Sequence, residues 1–300
     1  MGYYDYTPQE KMRVDMAAFF GIKLDPVGYA DLAAVVIVCL VNAVGLSANA
    51  FVWFNRHYAP LKAKNIPLMT GIYMQGLCLF LGDLTLCGLV HIRGPFFGNC
   101  MLMLIWLRTL FGTYTLGGLM TIRSYTLYRV FCQNKPILGV HRFVPYIIFV
   151  AAILTIGTIT SLMPKRMTMD YMAGIELCLI NKDLINAILT GIWLMWGGFI
   201  LMLWLLRNIR TSFNEFREVS VSLIVLIAST IFNHVLLQRI PNFPIYLAWR
   251  LSLMFIDQFT TNLIWWMIMG KTVYKCMFHY EEYLLQWKHT LLTDGLHSRY

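Results

Sequence analysis

Long blocks of apolar residues are the feature that most limits how this chain can fold. A helix of about twenty apolar residues spans the roughly 30 Å hydrocarbon core of a bilayer. Lipid offers no partner to an exposed backbone amide, so such blocks cross a membrane as helices. Seven windows of this kind occur, at residues 29–54, 67–90, 100–128, 143–163, 184–206, 219–238 and 246–269. The sequence therefore predicts an all-α, polytopic membrane protein with a seven-transmembrane helix bundle.

Composition excludes the common alternative, a soluble globular domain. Of the 300 residues, 58% are hydrophobic and 13% are charged, whereas soluble domains are about 45–50% apolar and about 25% charged. We expect three parts along the chain. They are a short extracellular segment over 1–28, the bundle over 29–269, and a cytoplasmic tail over 270–300 whose apolar residues recur at amphipathic helical spacing.

The distribution of Lys and Arg predicts which end of the bundle faces the cytoplasm. Seven spans place the two termini on opposite sides, and cytoplasmic loops carry the excess of basic residues. Eight Lys or Arg residues flank the spans on the amino-terminal side, and twelve flank them on the other. We therefore expect a multi-pass plasma-membrane protein, in contact with lipid, whose N-terminus is outside. The formal charge of +9 is then an orientation signal, and no nucleic-acid partner is expected.

Two cysteines fall on the predicted outer side. Cys100 opens the third window, and Cys178 lies in the loop between the fourth and fifth windows. The extracellular compartment permits disulfides. A bridge between Cys100 and Cys178 would tie this loop to the top of the third helix, and two free thiols are the alternative.

Charged residues inside the apolar windows are the main candidates for a site. A charge at mid-membrane costs about 2.5–3.5 kcal/mol on insertion scales, so each needs a partner or water. Four residues stand out: Asp83, Arg108, Arg250 and Asp257. Asp83 lies eight residues from His91 and Arg108 lies eight residues from Cys100, so both are roughly 12 Å deep. Their equal depth on consecutive antiparallel helices predicts an Asp83–Arg108 pair.

Two interpretations of these charges remain open. Arg250 and Asp257 are seven positions apart, nearly two helical turns, so both should face the bundle interior. All four residues either form interhelical ion pairs that fix the packing or line an outward-facing polar cavity for an unknown small ligand. His234, with Asn233 beside it on the sixth helix, would add to such a cavity.

A second pair of charges lies near the predicted inner surface. Arg123 is close to the inner end of the third helix, and Glu215 lies just before the sixth. A cation and a carboxylate in these positions can pair across the bundle and hold its cytoplasmic face closed until an outer event separates them. Solvation of either residue is the alternative.

Three inner segments of the chain carry motifs of one known family. The first inner loop carries its run at Phe54, Pro60, Lys62, Ala63, Asn65 and Leu68. The end of the third helix carries basic residues at Arg123 and Arg129, and the entry to the sixth helix carries Arg210, Phe213, Asn214, Glu215 and Arg217. These motifs resemble those of the class C (metabotropic glutamate receptor-like) seven-transmembrane G-protein-coupled receptors and of the seven-helix modules of plant and fungal regulators of G-protein signalling.

The resemblance implies a receptor that senses a ligand within the bundle and acts as signal transducer to a heterotrimeric G protein. It gives Arg123 and Glu215 the roles of the inner ionic lock, places the outer disulfide at Cys100 and Cys178, and implies a homodimer. Basic residues of the inner loops would face the G protein: Lys62, Lys64, Lys135, Arg142 and Arg210. Residues 1–28 are too few for the family's ligand-binding ectodomain, and Gly270 stands where many members have proline.

A transporter or channel that uses the four intramembrane charges is the alternative function. Transporter folds show repeated halves and broken helices, and neither is visible in this sequence. Enzymatic activity is not expected, because no His-Glu-x-x-His motif lies on any predicted helix. No cofactor and no metal is expected either.

Overall fold

Six helices of the chain are long and apolar enough to cross a membrane. The computed structural model of the protein describes residues 8–89, 98–129, 143–172, 174–207, 215–240 and 242–297. The six helices are α2 (Tyr29–Phe54), α4 (Ile66–Leu86), α5 (Met101–Leu127), α6 (Val144–Leu162), α7 (Lys182–Leu206) and α8 (Glu215–Arg239). The architecture is therefore all-α and polytopic, as the apolar blocks predict.

The seventh predicted window is also a helix, α9 (Leu247–Phe278), of 32 residues. It is less apolar than the other six, because its buried face carries Arg250 and Asp257 together with Gln, Asn and Thr side chains. It packs against α2, α4 and α8, and it continues past the predicted end of the bundle at residue 269.

The other described α-helices and the strands lie at the ends of these seven helices. They are α1 (Pro8–Phe19), α3 (Ala59–Ala63), α10 (Tyr280–His297) and the strands β1 (Met169–Met172) and β2 (Leu177–Ile180). The strands form an antiparallel hairpin in which Met169 is opposite Ile180. This hairpin lies in the loop between α6 and α7. We call this end of the bundle the outer end, and the opposite end the inner end, after the predicted orientation.

The outer half of α5 is wound as a π-helix over Met101–Tyr114 and returns to α-helix at Thr115–Leu127. Three threonine hydroxyls follow the wider winding. Thr109, Thr113 and Thr115 each donate to the carbonyl five residues earlier, at 2.7, 3.4 and 2.8 Å. Long π-helical stretches are rare, and π turns are frequent at functional sites. Arg108 lies within this π-helical stretch.

Apolar side chains fill the bundle in two layers. The inner layer includes Trp196, Phe199 and Trp265, each almost completely buried. The outer layer includes Leu104 and Leu253. The polar residues of the candidate site lie in helix segments next to both layers.

The outward faces of α2, α6, α7 and α8 are apolar and exposed. Leu40, Ile148, Leu194 and Ile224 are each more than 60% exposed. Soluble monomers rarely expose contiguous apolar patches of more than a few hundred Å². These faces therefore suit contact with lipid.

An aromatic contact joins the start of α10 to the loop after α2. The rings of Tyr58 and Tyr280 lie 4.4 Å apart between centroids, and the Tyr58 hydroxyl donates to the Tyr280 carbonyl at 3.0 Å. Burial is the main cause that raises the pKa of the Tyr58 phenol to about 12, and the nearby Cys276 is the second cause. The phenol therefore remains a protonated donor at physiological pH.

Candidate functional site

Close approach of α4 and α5 creates the centre of the site. A Cβ atom on Gly82 would lie 2.8 Å from the Cα atom of Arg108, which is closer than side chains normally allow. Glycine at this position therefore lets the α5 backbone lie against α4. The guanidinium of Arg108 then reaches the carboxylate of Asp83, the next residue along α4.

Arg108 joins three helices through its guanidinium group. Its Nε donates to Asp83 Oδ1 at 2.7 Å, so the pair predicted from equal depth is present. Its Nη2 donates to Asp257 Oδ2 on α9 at 2.9 Å and to Asn233 Oδ1 on α8 at 3.2 Å. Asn233 Nδ2 in turn donates to Asp257 Oδ1 at 2.7 Å. We call Asp83, Arg108, Asn233 and Asp257 the Arg108 network.

The Arg108 network has one cation and two carboxylates, so it carries one net negative charge when all three groups are ionised. Its members are well shielded, since the side chains of Asp83, Asp257 and Arg108 are 0%, 6% and 12% exposed. Within the described residues, Asp83 Oδ2 is buried without a hydrogen-bond partner. Removing one partner of a buried ion pair is strongly destabilising, because it leaves a charge uncompensated.

A small cavity lies beside the Arg108 network. It has a volume of about 60 Å³ and is lined by Arg108, Asp257 and Asn233, with Trp196 among its apolar walls. Hydroxyl groups supply much of the remaining polar lining: Thr109, Thr113, Ser229, Thr230, Thr260 and Thr261. Water occupies about 30 Å³ per molecule in the liquid, so a cavity of this size suits a few water-sized groups or the polar end of a longer ligand.

Two further cavities lie on the outer side of this one. The outer pocket, of about 290 Å³, lies between the β-hairpin, the segment after α1 and the chain that leads into α9. A third cavity of about 30 Å³, which we call the neck, shares lining residues with the outer pocket and with the inner cavity. Ile185 lines the outer pocket and the neck, Arg108 lines the neck and the inner cavity, and Leu237 lines all three.

Arg250 lies outside the Arg108 network and forms a separate interhelical ion pair with Asp31 on α2. Its Nε and Nη2 donate to the two oxygens of Asp31 at 2.8 and 2.7 Å. It also donates to the carbonyls of Asp25 and Pro26 at 2.7 and 2.8 Å. Seven residues separate Arg250 from Asp257, which is roughly 10 Å along the helix. Arg250 therefore fastens the segment before α2 to the outer end of α9.

His234 also lies outside the predicted cavity. It is half-buried, and its Nδ1 accepts a hydrogen bond from Trp193 Nε1 on α7 at 3.3 Å. Its ring lies edge-on to the Trp193 ring. The neighbouring residue Asn233 faces the Arg108 network instead, because consecutive helical residues point about 100° apart.

The inner end of the bundle contains an ion pair that the sequence reasoning did not identify. Lys64 Nζ lies 2.7 Å from Glu218 Oε2, which connects the first inner loop to α8. Arg123 Nη1 donates to the Lys64 carbonyl at 3.3 Å and to Met69 Sδ at 3.1 Å. The side chain of Glu215 lies outside the described residues, and the predicted Arg123–Glu215 lock stays a prediction.

The basic residues predicted to face a partner differ in their surroundings. Lys62 is exposed on α3. The Lys64 ammonium is only 13% exposed and is paired with Glu218, so it is not a freely available contact in this state. Lys135, Arg142 and Arg210 lie outside the described residues.

The outer cysteines form the predicted bridge. Cys100 and Cys178 are joined by a disulfide with their Cα atoms 5.8 Å apart. The bridge ties β2 of the hairpin to the start of α5. Because Cys178 also lines the outer pocket, the disulfide holds one wall of that pocket in place.

Sequence reasoning missed Asp31, Glu218 and most of the hydroxyl lining. Asp31 is an acid inside the first apolar window, and Glu218 directly precedes the sixth, so both could have been found as charges close to lipid. The Thr and Ser residues carry no such signal, since threonine within helices is commonly structural. Over the described ranges, no cluster of three or more His, Cys, Asp or Glu side chains could hold a metal ion.

No protein-family model matches the chain, and no curated protein is significantly similar to it.

Proposed function

We propose that this protein is a seven-helix receptor of the plasma membrane, similar to class C receptors, which senses a ligand in the outer half of the bundle and signals to a heterotrimeric G protein. The family resemblance of the inner loops supplies the nature of the partner. The contacts at the two ends of α8 support a coupling between the outer half of the bundle and its inner end.

The two ends of α8 are held by two different polar networks, and this observation carries the proposal. Asn233 binds Arg108 and Asp257 in the outer half. Glu218 pairs with Lys64 at the inner end. The two residues are 15 positions apart, or roughly 22 Å along a helix. A ligand that changes the bonds of Asn233 would shift α8 and thereby weaken the inner pair, which is the two-state behaviour of a receptor.

The packing below the inner cavity favours a receptor over the alternative of a transporter. Trp196 lines that cavity and also belongs to the packed inner layer with Phe199 and Trp265. A substrate at the Arg108 network would meet closely packed aromatic side chains on the way to the inner face. Uptake or current that is abolished by Asp83→Asn and by Asp257→Asn would instead support the transporter.

We further propose that α9 is the seventh span and that the N-terminus is outside. The disulfide Cys100–Cys178 lies at the same end of the bundle as α1, since Leu177 packs with Ala17 and Leu24 in one apolar cluster. Disulfides persist in the extracellular compartment. This end would therefore face outward, in agreement with the excess of Lys and Arg at the other end.

The inner pair provides the test of the proposed function. Glu218→Ala or Lys64→Ala should raise agonist-independent nucleotide exchange on a co-expressed heterotrimeric G protein. The pair is 13% and 19% exposed, and loss of about 1 kcal/mol would shift the balance of the two states about fivefold. The double exchange Lys64→Glu with Glu218→Lys should restore low basal exchange.

Arg56→Ala is the matched control. Arg56 lies in the same inner loop, is exposed, and is not among the basic residues expected to face the G protein. At equal surface expression it should leave basal exchange unchanged. Basal exchange that stays at the level of the unaltered protein in both single variants of the pair would count against the receptor proposal.

A further inference from the structure

The three cavities suit a largely apolar ligand with one small polar group. Asn242 is the only polar side chain among the described residues that line the outer pocket. The pocket volume of about 290 Å³ is at the lower end of the range for small-molecule sites, roughly 300–1,000 Å³. The neck and the inner cavity are much smaller, and both are lined by Arg108.

Arg108 has donor capacity that its own network does not use. A guanidinium carries five N–H donors. Its Nε and Nη2 are bonded to Asp83, Asp257 and Asn233, whereas its Nη1 makes no hydrogen bond with any described residue. The side chain is 12% exposed and borders the neck and the inner cavity. A hydrogen-bond acceptor that enters from the outer pocket would therefore meet an N–H donor.

The charge of the network decides which acceptors are suitable. When both carboxylates are ionised they outnumber the one guanidinium, so an added anion would then be repelled, and burial of an unpaired charge is costly. An added cation that entered the neck would approach the positive charge of Arg108 first. A neutral oxygen, as in a ketone, ester or alcohol, accepts a hydrogen bond from Arg108 without either cost.

We propose that the outer pocket and neck bind a neutral, largely apolar small molecule whose single carbonyl or hydroxyl oxygen accepts a hydrogen bond from Arg108. This inference rests on the proposed function only in taking these cavities as the ligand site. It concerns binding, which is measured without a G protein, so a negative result in the nucleotide-exchange assay leaves it standing.

Four diphenyl compounds of similar shape test the proposal. Benzophenone offers a neutral carbonyl, diphenylmethane lacks an acceptor, diphenylacetate is an anion and benzhydrylammonium is a cation. Binding of each to the purified protein in lipid nanodiscs is measured by calorimetry against empty nanodiscs. A hydrogen bond to a charged group strengthens binding, so benzophenone should bind at least about tenfold more tightly than diphenylmethane. The two charged compounds should bind more weakly than benzophenone.

Ultraviolet light locates the bound benzophenone, because its excited carbonyl inserts into a nearby C–H bond and becomes a tertiary alcohol. Mass spectrometry should find the adduct on residues of the outer pocket and neck, such as Leu237 or Ile185. Leu237→Trp should reduce benzophenone binding at least about tenfold, by filling the position that all three cavities share. Ile185→Phe serves if the tryptophan variant does not fold, as judged by its thermal unfolding.

Val235→Trp is the control for the added bulk. Val235 is 49% exposed and lies on the same helix as Leu237, so its variant should bind benzophenone normally. Tightest binding of diphenylacetate or benzhydrylammonium would overturn the assignment of a neutral ligand. Adducts confined to lipid-facing residues, or equal binding of benzophenone and diphenylmethane, would overturn the assignment of the site.

Discussion

At the scale of single residues, the two buried arginines, Arg250 and Arg108, have different roles. Arg250 and Asp31 are both fully buried, and the arginine satisfies two carbonyl groups in addition to the carboxylate. Its hydrogen-bond partners lie in the first turn of α2 and in the segment just before that helix. This pair fixes structure at the outer end of the bundle, whereas Arg108 borders cavities and joins helices in its middle.

Single and paired replacements of Arg250 and Asp31 distinguish these roles. Asp31→Leu or Arg250→Leu leaves one buried charge unpaired and should lower the stability of the protein by about 3–5 kcal/mol. Removing both charges should cost less than either single change, because no unpaired charge remains. Thermal unfolding in nanodiscs, arranged as a double-mutant cycle, measures the difference.

An exposed ion pair provides the reference for that cycle. His279 and Glu282 are 43% and 62% exposed, so Glu282→Gln should change stability by less than about 1 kcal/mol. Additive losses in the double variant of Asp31 and Arg250 would show that the two charges do not act as a pair.

At the scale of elements, the positions of the helices follow from the apolar windows, but their rotations do not. The apolar window 184–206 corresponds to α7 (Lys182–Leu206). The Asp83–Arg108 pair could be predicted from the equal depth of the two residues in the membrane. Which face of α9 meets which neighbour depends on how the helices pack, and no single window contains that information. Arg250 and Asp257 share a face, yet their separation along the axis gives them different partners.

The β-hairpin could also be predicted only in part from the sequence. Its place in the loop between α6 and α7 and the bond from Cys178 to Cys100 could be predicted, while its strands and their contribution to the outer pocket could not. The four-residue strands are too short to give a distinct alternation of apolar and polar residues. Their geometry depends on the disulfide and on packing against the segment after α1.

The disulfide should stabilise the hairpin and the pocket wall together. Cys100 and Cys178 are 78 positions apart, and closing a loop of this length contributes about 4–5 kcal/mol at most in the chain-entropy model. Replacing both by Ala should lower the unfolding temperature and speed amide exchange in residues 169–180. Hydrogen exchange with mass spectrometry measures this, and Cys39→Ala, an exposed free thiol, is the control. Unchanged exchange in the hairpin would show that packing alone holds it.

At the scale of the whole molecule, the number of spans decides how the two polar networks are arranged across the membrane. Six helices meet the length and composition of a span, and α9 provides the seventh only if its buried polar face is covered by the other helices. α9 packs against α2, α4 and α8, and its charges are satisfied by Asp31 and Arg108. With these charges paired inside the bundle, the helix presents mainly apolar side chains to lipid.

The sidedness of the two termini tests the seventh span directly. The chain contains no Asn-x-Ser/Thr sequon, so an identical tag with one sequon can be placed before Met1 in one version and after Tyr300 in another. With seven spans and an outer N-terminus, only the first version should acquire a glycosidase-sensitive glycan during expression in a eukaryotic cell. If α9 does not cross, both termini lie on one side and the two versions should behave alike. A glycan on the second version alone would reverse the orientation and place the outer pocket in the cytoplasm, where no extracellular ligand could reach it.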